Sequence, residues 1–306
     1  MWTDEFLLET MDSRRMTVMH STSNRFMFWA KKRPRRRRHA GNPDWKGLRG
    51  NATAVEEGEA EVVLKEESDR DHDPLEQWQP PTEQVAMTYK EWREWADRAH
   101  AEKIGPGDDH YYLTTGCAAK TKTPPMTGDF VADSLPFFSA RTNNFFVTDT
   151  TQQKGIQCRF GARGIIAESH FDGGKNFVLM LRGRKRYLIN PPSACPALGI
   201  IGDTSHPSFR HSEVDWADPE GWPEGFADAP GFDTVVSEGE LLYIPSYWYH
   251  YIVSESFSIQ CNARSGSPPG NEGAEETRSC IGFPQEEAFG KKTRHLFEEE
   301  EFWDWT

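Results

Sequence analysis

His170, Asp172 and His250 are the residues of this chain whose types and settings best suit a bound divalent metal ion. His170-Phe171-Asp172 closes a β-patterned run. Residues two apart on a strand project from one face, so His170 and Asp172 offer an imidazole and a carboxylate to a common ion while Phe171 points into packing. The third ligand is His250, 80 residues downstream, at the end of Glu240-Leu241-Leu242-Tyr243-Ile244-Pro245-Ser246-Tyr247-Trp248-Tyr249-His250. There an apolar strand, a proline break and a histidine among aromatic residues follow one another. Two histidines and one carboxylate, with the remaining positions open, form the facial triad that suits non-haem Fe(II).

An HxD pair alone is weak evidence, since ten histidines give about one chance HxD or HxE in such a chain. His100-Ala101-Glu102 and His211-Ser212-Glu213 have the same spacing. The first falls in an expected helix, where that spacing splays the side chains, and the second in a proline-rich insert. His250 alone reads as a histidine satisfied within an aromatic core. Ligation becomes the better reading when His170-Phe171-Asp172 shares its β-rich domain.

The elements that must position these residues are mostly strands. Short runs of β-branched and aromatic residues, separated by Gly, Pro and Asn, predict strands over 144–148, 164–171, 176–181, 185–189, 233–236, 240–244, 247–253 and 257–262. About eight strands with few helices between them indicate an all-β sandwich or barrel. Residues 193–230 read as a Pro- and Trp-rich loop region across one end. Trp92, Trp95 and Ala99, spaced by three and four, predict an amphipathic helix over 89–101 whose tryptophans pack in the core.

The organisation expected is a disordered region over 1–75, basic and then acidic, a folded domain over 76–266, and a polar tail over 267–306. Within the tail, a helix is expected over 285–305, bearing Phe289, Leu296 and Phe297. Mean hydropathy is -0.74, with the apolar deficit at the two ends. Residues 1–50 balance to +7 within a chain of net charge -13. The body is therefore acidic and repels phosphates, which argues against a nucleic-acid partner. The basic run Lys31-Lys32-Arg33-Pro34-Arg35-Arg36-Arg37-Arg38 reads as a nuclear address, an anionic-surface contact or a solvated tail. The five cysteines form no CxxC pair, so neither a disulfide framework nor a zinc knuckle is expected, and a cytoplasmic or nuclear location follows. No apolar stretch approaches the ~18 residues that span a bilayer.

Several ordered motifs together resemble the JmjC-domain oxygenases: His170-Phe171-Asp172, Asn176-Phe177, Arg182-Gly183-Arg184-Lys185-Arg186-Tyr187, the stretch 238–250, and Gln260-Cys261-Asn262. The insert residues His206-Pro207-Ser208-Phe209-Arg210 and Val214-Asp215-Trp216 extend the likeness, which covers about 111–266. Within the family it is closest to the asparaginyl hydroxylase that inhibits the hypoxia-inducible factor. The resemblance implies a double-stranded β-helix, or jelly-roll cupin, that uses Fe(II) held by His170, Asp172 and His250, 2-oxoglutarate as cosubstrate, and molecular oxygen. It places Lys185 against the far carboxylate of 2-oxoglutarate, Tyr112 as a phenol donor, and Asn176 and Asn262 as amide contacts. Read alone, Lys185 is a surface lysine in a Lys/Arg-rich turn. Ala167 departs from the pattern, standing where that relative has a hydroxyl that helps hold the cosubstrate.

The function implied is hydroxylation of a protein or peptide side chain, with succinate and CO2 as coproducts. The alternatives are N-methyl-lysine demethylation, a non-catalytic cupin binding module, and a metal-binding cupin of another activity. A homodimer is among the partners this reading admits.

Overall fold

The computed structural model describes residues 2–11, 14–29, 78–117, 130–138, 146, 153–203, 206–265 and 272–281. All of these except Trp78 and Gln79 fall in one unit built from residues 1–30 and 80–306. The strands are β1 (Met16–Ser21), β2 (Arg25–Phe26), β3 (Glu83–Met87), β4 (His110–Cys117), β5 (Gln153–Gly161), β6 (Ile166–Phe171), β7 (Lys175–Arg182), β8 (Arg184–Asn190), β9 (Phe232–Ser237), β10 (Leu241–Ile244), β11 (Tyr249–Ser254) and β12 (Ser258–Ser265). The helices are α1 (Asp4–Met11), α2 (Tyr89–Glu102), α3 (Phe130–Ser134) and α4 (Glu272–Cys280).

The strands form two sheets, a seven-stranded one ordered β10-β7-β12-β5-β4-β1-β3 and a five-stranded one ordered β2-β6-β11-β8-β9. Among the described residues, neighbouring strands pair antiparallel except β2 with β6. The result is the expected all-β jelly-roll core. Val178 and Met180 of the larger sheet pack with Tyr187, Ile189, Val236 and Ile252 of the smaller, which joins the two layers. Side chains two apart on each strand face the same layer, so Lys185 and Tyr187 of β8 both reach across to the larger sheet, at Tyr112 and Gln260.

The outer face of the larger sheet is covered by helices. On α2, Tyr89, Trp92, Trp95, Ala96 and Ala99 are buried and join Trp2, Leu7 and Phe160 in one apolar cluster. The helix begins with a capping box: Thr88 Oγ1 accepts from the Glu91 amide at 3.2 Å, and the Glu91 carboxylate accepts from the Thr88 amide at 2.7 Å. The tight turn joining β7 to β8 needs Gly183, which has φ +69°; a Cβ there would meet the Phe257 carbonyl oxygen at 2.0 Å.

Seven of the eight expected strands are present, and the eighth, over 144–148, lies outside the described residues apart from Phe146. Strands β1 to β5 were not anticipated from the sequence. The expectation of disorder over 1–75 is corrected for residues 2–11 and 14–29: α1, β1 and β2 belong to the fold, with Trp2, Leu7, Met11, Val18 and Phe26 buried. This segment is too short to show its own periodicity, and its apolar residues become core only because β4, β3 and β6 pair with it. The folded part also runs past 266, since α4 buries Ala274 in the cluster beneath the insert. The helix expected over 285–305 lies outside the described residues.

The cysteines depart from expectation. Cys158 bonds to Cys261, and Cys195 to Cys280. Cys158 and Cys261 are register partners on β5 and β12, so two residues 103 apart in sequence meet through strand pairing that linear spacing cannot reveal. The premise for a reducing compartment is thereby removed. No described helix is long and apolar enough to cross a membrane.

Candidate metal and anion site

His170 on β6 and His250 on β11 are register partners across the smaller sheet, which puts their ring centroids 4.3 Å apart. Asp172 follows directly after β6. One ligand atom from each of the three residues lies within 4.8 Å of the others, and His250 Nε2 stands 3.8 Å from Asp172 Oδ2.

The tautomers suit metal ligation. His170 Nδ1 is 2.7 Å from the Glu168 carbonyl oxygen, and His250 Nδ1 is 3.1 Å from that of Trp248. Each Nδ1–H therefore donates to backbone, leaving each Nε2 lone pair for an ion. Burial lowers the pKa of both imidazoles, keeping them neutral. Burial would raise Asp172, but Arg264 and then Arg210 override it and hold the carboxyl well below its ordinary value. Arg264 Nη1 donates to Asp172 Oδ1 at 2.9 Å and Arg210 Nη1 at 3.0 Å. One carboxylate oxygen is thus taken by guanidinium groups while the other faces His250. Two neutral imidazoles and an ionised carboxylate fit a divalent cation such as Fe(II).

Around Asp172 the hydrogen bonds close a ring. Asn176 Nδ2 reaches Asp172 Oδ2 at 3.5 Å, Asn262 Nδ2 donates to Asn176 Oδ1 at 3.1 Å, and Arg159 Nη1 donates to Asn262 Oδ1 at 3.0 Å. Arg159 Nη2 and Arg264 Nη2 then share Gln157 Oε1, at 3.3 and 2.9 Å. The alternation of Gln157 and Arg159 on β5, and of Asn262 and Arg264 on β12, turns all four toward this ring.

The ring borders a cavity lined also by Tyr112, Ala167, His170, His211, His250 and Gln260. Lys185 is fully buried behind Tyr112, with Nζ 3.3 Å from the phenol oxygen. Burial, then the charge of Arg159, brings its pKa down to about 7. Burial raises the Tyr112 phenol to about 12, so it stays protonated.

All the residues singled out from the sequence therefore come to one region: His170, Asp172 and His250 as a cluster, Asn176 and Asn262 joined to it, and Tyr112 at the cavity wall with Lys185 behind it. The sequence reading missed Arg159, Gln157, Arg210 and Arg264. Alternating polar residues within the apolar runs of β5 and β12 were the available signal. It also set aside His211, which is buried, lines the cavity and stacks on His170 with ring centroids 5.0 Å apart. An isolated bridge between His170 and His211 carries it there from the insert.

A profile of the cupin-like domain family matches residues 29–263. Among curated proteins, the chain is 32% identical over 104 residues to tRNA wybutosine-synthesizing protein 5 of Gallus gallus, covering 34% of this chain and 31% of that protein. It is 25% identical over 175 residues to the Mus musculus protein of that name, covering 55% and 50%. It is 27% identical over 106 residues to lysine-specific demethylase JMJ30 of Arabidopsis thaliana, covering 35% and 24%. The chain thus spans half or less of the length of these relatives. With its jelly-roll core, this chain belongs to the cupin-like domain family.

Proposed function

We propose that the chain is an Fe(II)- and 2-oxoglutarate-dependent oxygenase that hydroxylates a protein side chain. The observation that carries this reading is the convergence of His170 Nε2, His250 Nε2 and Asp172 Oδ2 beside a cavity, with every other polar atom of the three directed to protein partners. When bound, the ferrous ion with 2-oxoglutarate and oxygen supplies the oxidising power to hydroxylate a C–H bond, with succinate and CO2 formed.

The chain's own residues would hold and orient the reactants. Lys185 and Tyr112 receive the far carboxylate of the cosubstrate. The amide nitrogens of Asn176 and Asn262 each have a second hydrogen for the end nearer the metal. Arg264 and Arg210 keep Asp172 ionised and turned so that Oδ2 faces His250. The protein-hydroxylase assignment rests on the likeness to the asparaginyl hydroxylase noted above, which is an argument by analogy.

The test is succinate production by purified protein with Fe(II), ascorbate and 2-oxoglutarate, alone and against a peptide library analysed for a mass gain of one oxygen. Succinate formation lost in Asp172→Ala supports the reading. Succinate no higher in the wild type than in Asp172→Ala rejects it in favour of a binding module.

A further inference from the structure

The cavity carries more positive charge than its acidic partners balance. Among the described residues lining it, Asp172 is the one acidic group, and it already receives Arg210 and Arg264. Two further cations stand away from it. Arg159, on β5 of the larger sheet, donates to Asn262 Oδ1 and Gln157 Oε1, both uncharged acceptors. Lys185, on β8 of the smaller sheet, has its ammonium at the Tyr112 hydroxyl and 5.2 Å from that ring's centroid. Tyr112 stays a neutral phenol. Neither cation has a carboxylate among these partners.

Burying a cation without a counter-ion is costly. Here Arg159 is the register partner of Thr114, which shares a face of β4 with Tyr112, the partner of Lys185, and the charge of Arg159 opposes that of Lys185. The arrangement makes sense if an anion completes it. A guanidinium has five N–H donors in a planar fork matched to a carboxylate, and the two bonds above leave donors to spare. Ala167, on the cavity wall, contributes only a methyl group.

We propose that Arg159 and Lys185, reaching in from opposite sheets, are the two arms of one carboxylate site, and that Arg159 makes the cavity selective for a dicarboxylate ligand. The proposal rests on the 2-oxoglutarate reading above and adds to it a residue and a pH dependence. The titratable or charged groups facing Lys185 are Tyr112 of β4 and Arg159 of β5; its register partners Val236 on β9 and Ser254 on β11 are uncharged. Free Lys185 titrates at about 7, and a bound carboxylate favours its charged form. Above that pH, ligand binding takes up a proton and affinity falls about tenfold per pH unit; below it, affinity levels off.

The experiment is calorimetric titration of Mn(II)-loaded protein with 2-oxoglutarate and with 2-oxobutanoate, which lacks the far carboxylate. In Arg159→Gln, 2-oxoglutarate affinity should fall about 10- to 100-fold, with 2-oxobutanoate and Mn(II) binding unchanged, and Arg159→Lys should recover part of the loss. Wild type titrated in buffers of differing ionisation enthalpy should take up about one proton at pH 8.5 and little at pH 6, and Lys185→Met should take up none. Arg159→Gln binding 2-oxoglutarate like wild type overturns the proposal while leaving the oxygenase reading intact; wild type binding the two acids equally overturns it together with the role of Lys185 in that reading. Wild type that does not bind 2-oxoglutarate at all overturns both.

Discussion

Ala167 and His170 share a face of β6 although they are three residues apart. His170 pairs with His250 and Ala167 with Ile252, so three steps on β6 match two on β11. That extra residue is a β-bulge. It restores to the cavity a side chain that simple alternation would turn away, and Ala167 and His170 both line the wall. A bulge beside the first metal ligand thus decides which residue of the preceding strand can touch a ligand.

Ala167→Thr follows directly. The hydroxyl would point into the cavity and add a donor to a bound carboxylate, worth ~1.5–3 kcal/mol for a charge-assisted bond. The affinity of 2-oxoglutarate should rise about tenfold or more, with the melting temperature unchanged. Unchanged affinity with a lower melt would mean that the larger side chain is forced into packing.

Metal binding should depend on the one carboxylate. Asp172→Ala removes it and leaves Arg264 and Arg210 facing each other without an anion. Mn(II) affinity, followed by calorimetry, should fall more than about 100-fold. Affinity within threefold of wild type would place the ion elsewhere.

Lys185 should lower stability in the unliganded protein. Its pKa is depressed to about 7 from an unfolded value near ~10.4, so between these pH values the unfolded chain holds more protons and stability rises with pH. Below pH 7 the full penalty is present. Lys185→Met should therefore raise unfolding free energy at pH 6 by on the order of 2–4 kcal/mol, with the gain shrinking toward pH 10. The same variant should bind 2-oxoglutarate more weakly, with an affinity that no longer depends on pH between about 6 and 8.5. A lower melt at pH 6 would show that the lysine is a packing element.

The disulfide Cys195–Cys280 ties α4 to the insert across 85 residues. Cys280→Ser should cost about 2–4 kcal/mol of unfolding free energy under non-reducing conditions, and a reductant should abolish the difference. Peptide mapping without reduction should recover this pair and Cys158–Cys261. Five free thiols in the map would contradict the pairing.

Local features were legible in the residues alone. Short runs of β-branched and aromatic residues marked β6 to β12, the three- and four-residue spacing of Trp92, Trp95 and Ala99 marked α2, and the ordered motifs singled out His170, Asp172, His250 and Lys185. Those signals live in neighbouring residues, where side-chain direction follows from strand or helix period. Pairing between distant strands set the rest. Register set Cys158 opposite Cys261 and His170 opposite His250, and the bulge turned Ala167 inward. Sheet closure brought Arg159 from β5 toward Lys185 from β8. Residues 2–11 and 14–29 joined the core because partner strands received β1 and β2, and His211 left its proline-rich insert to stack on His170. Each depends on contacts between residues far apart in the chain, and the spacing of residues along one segment does not encode what that segment will meet.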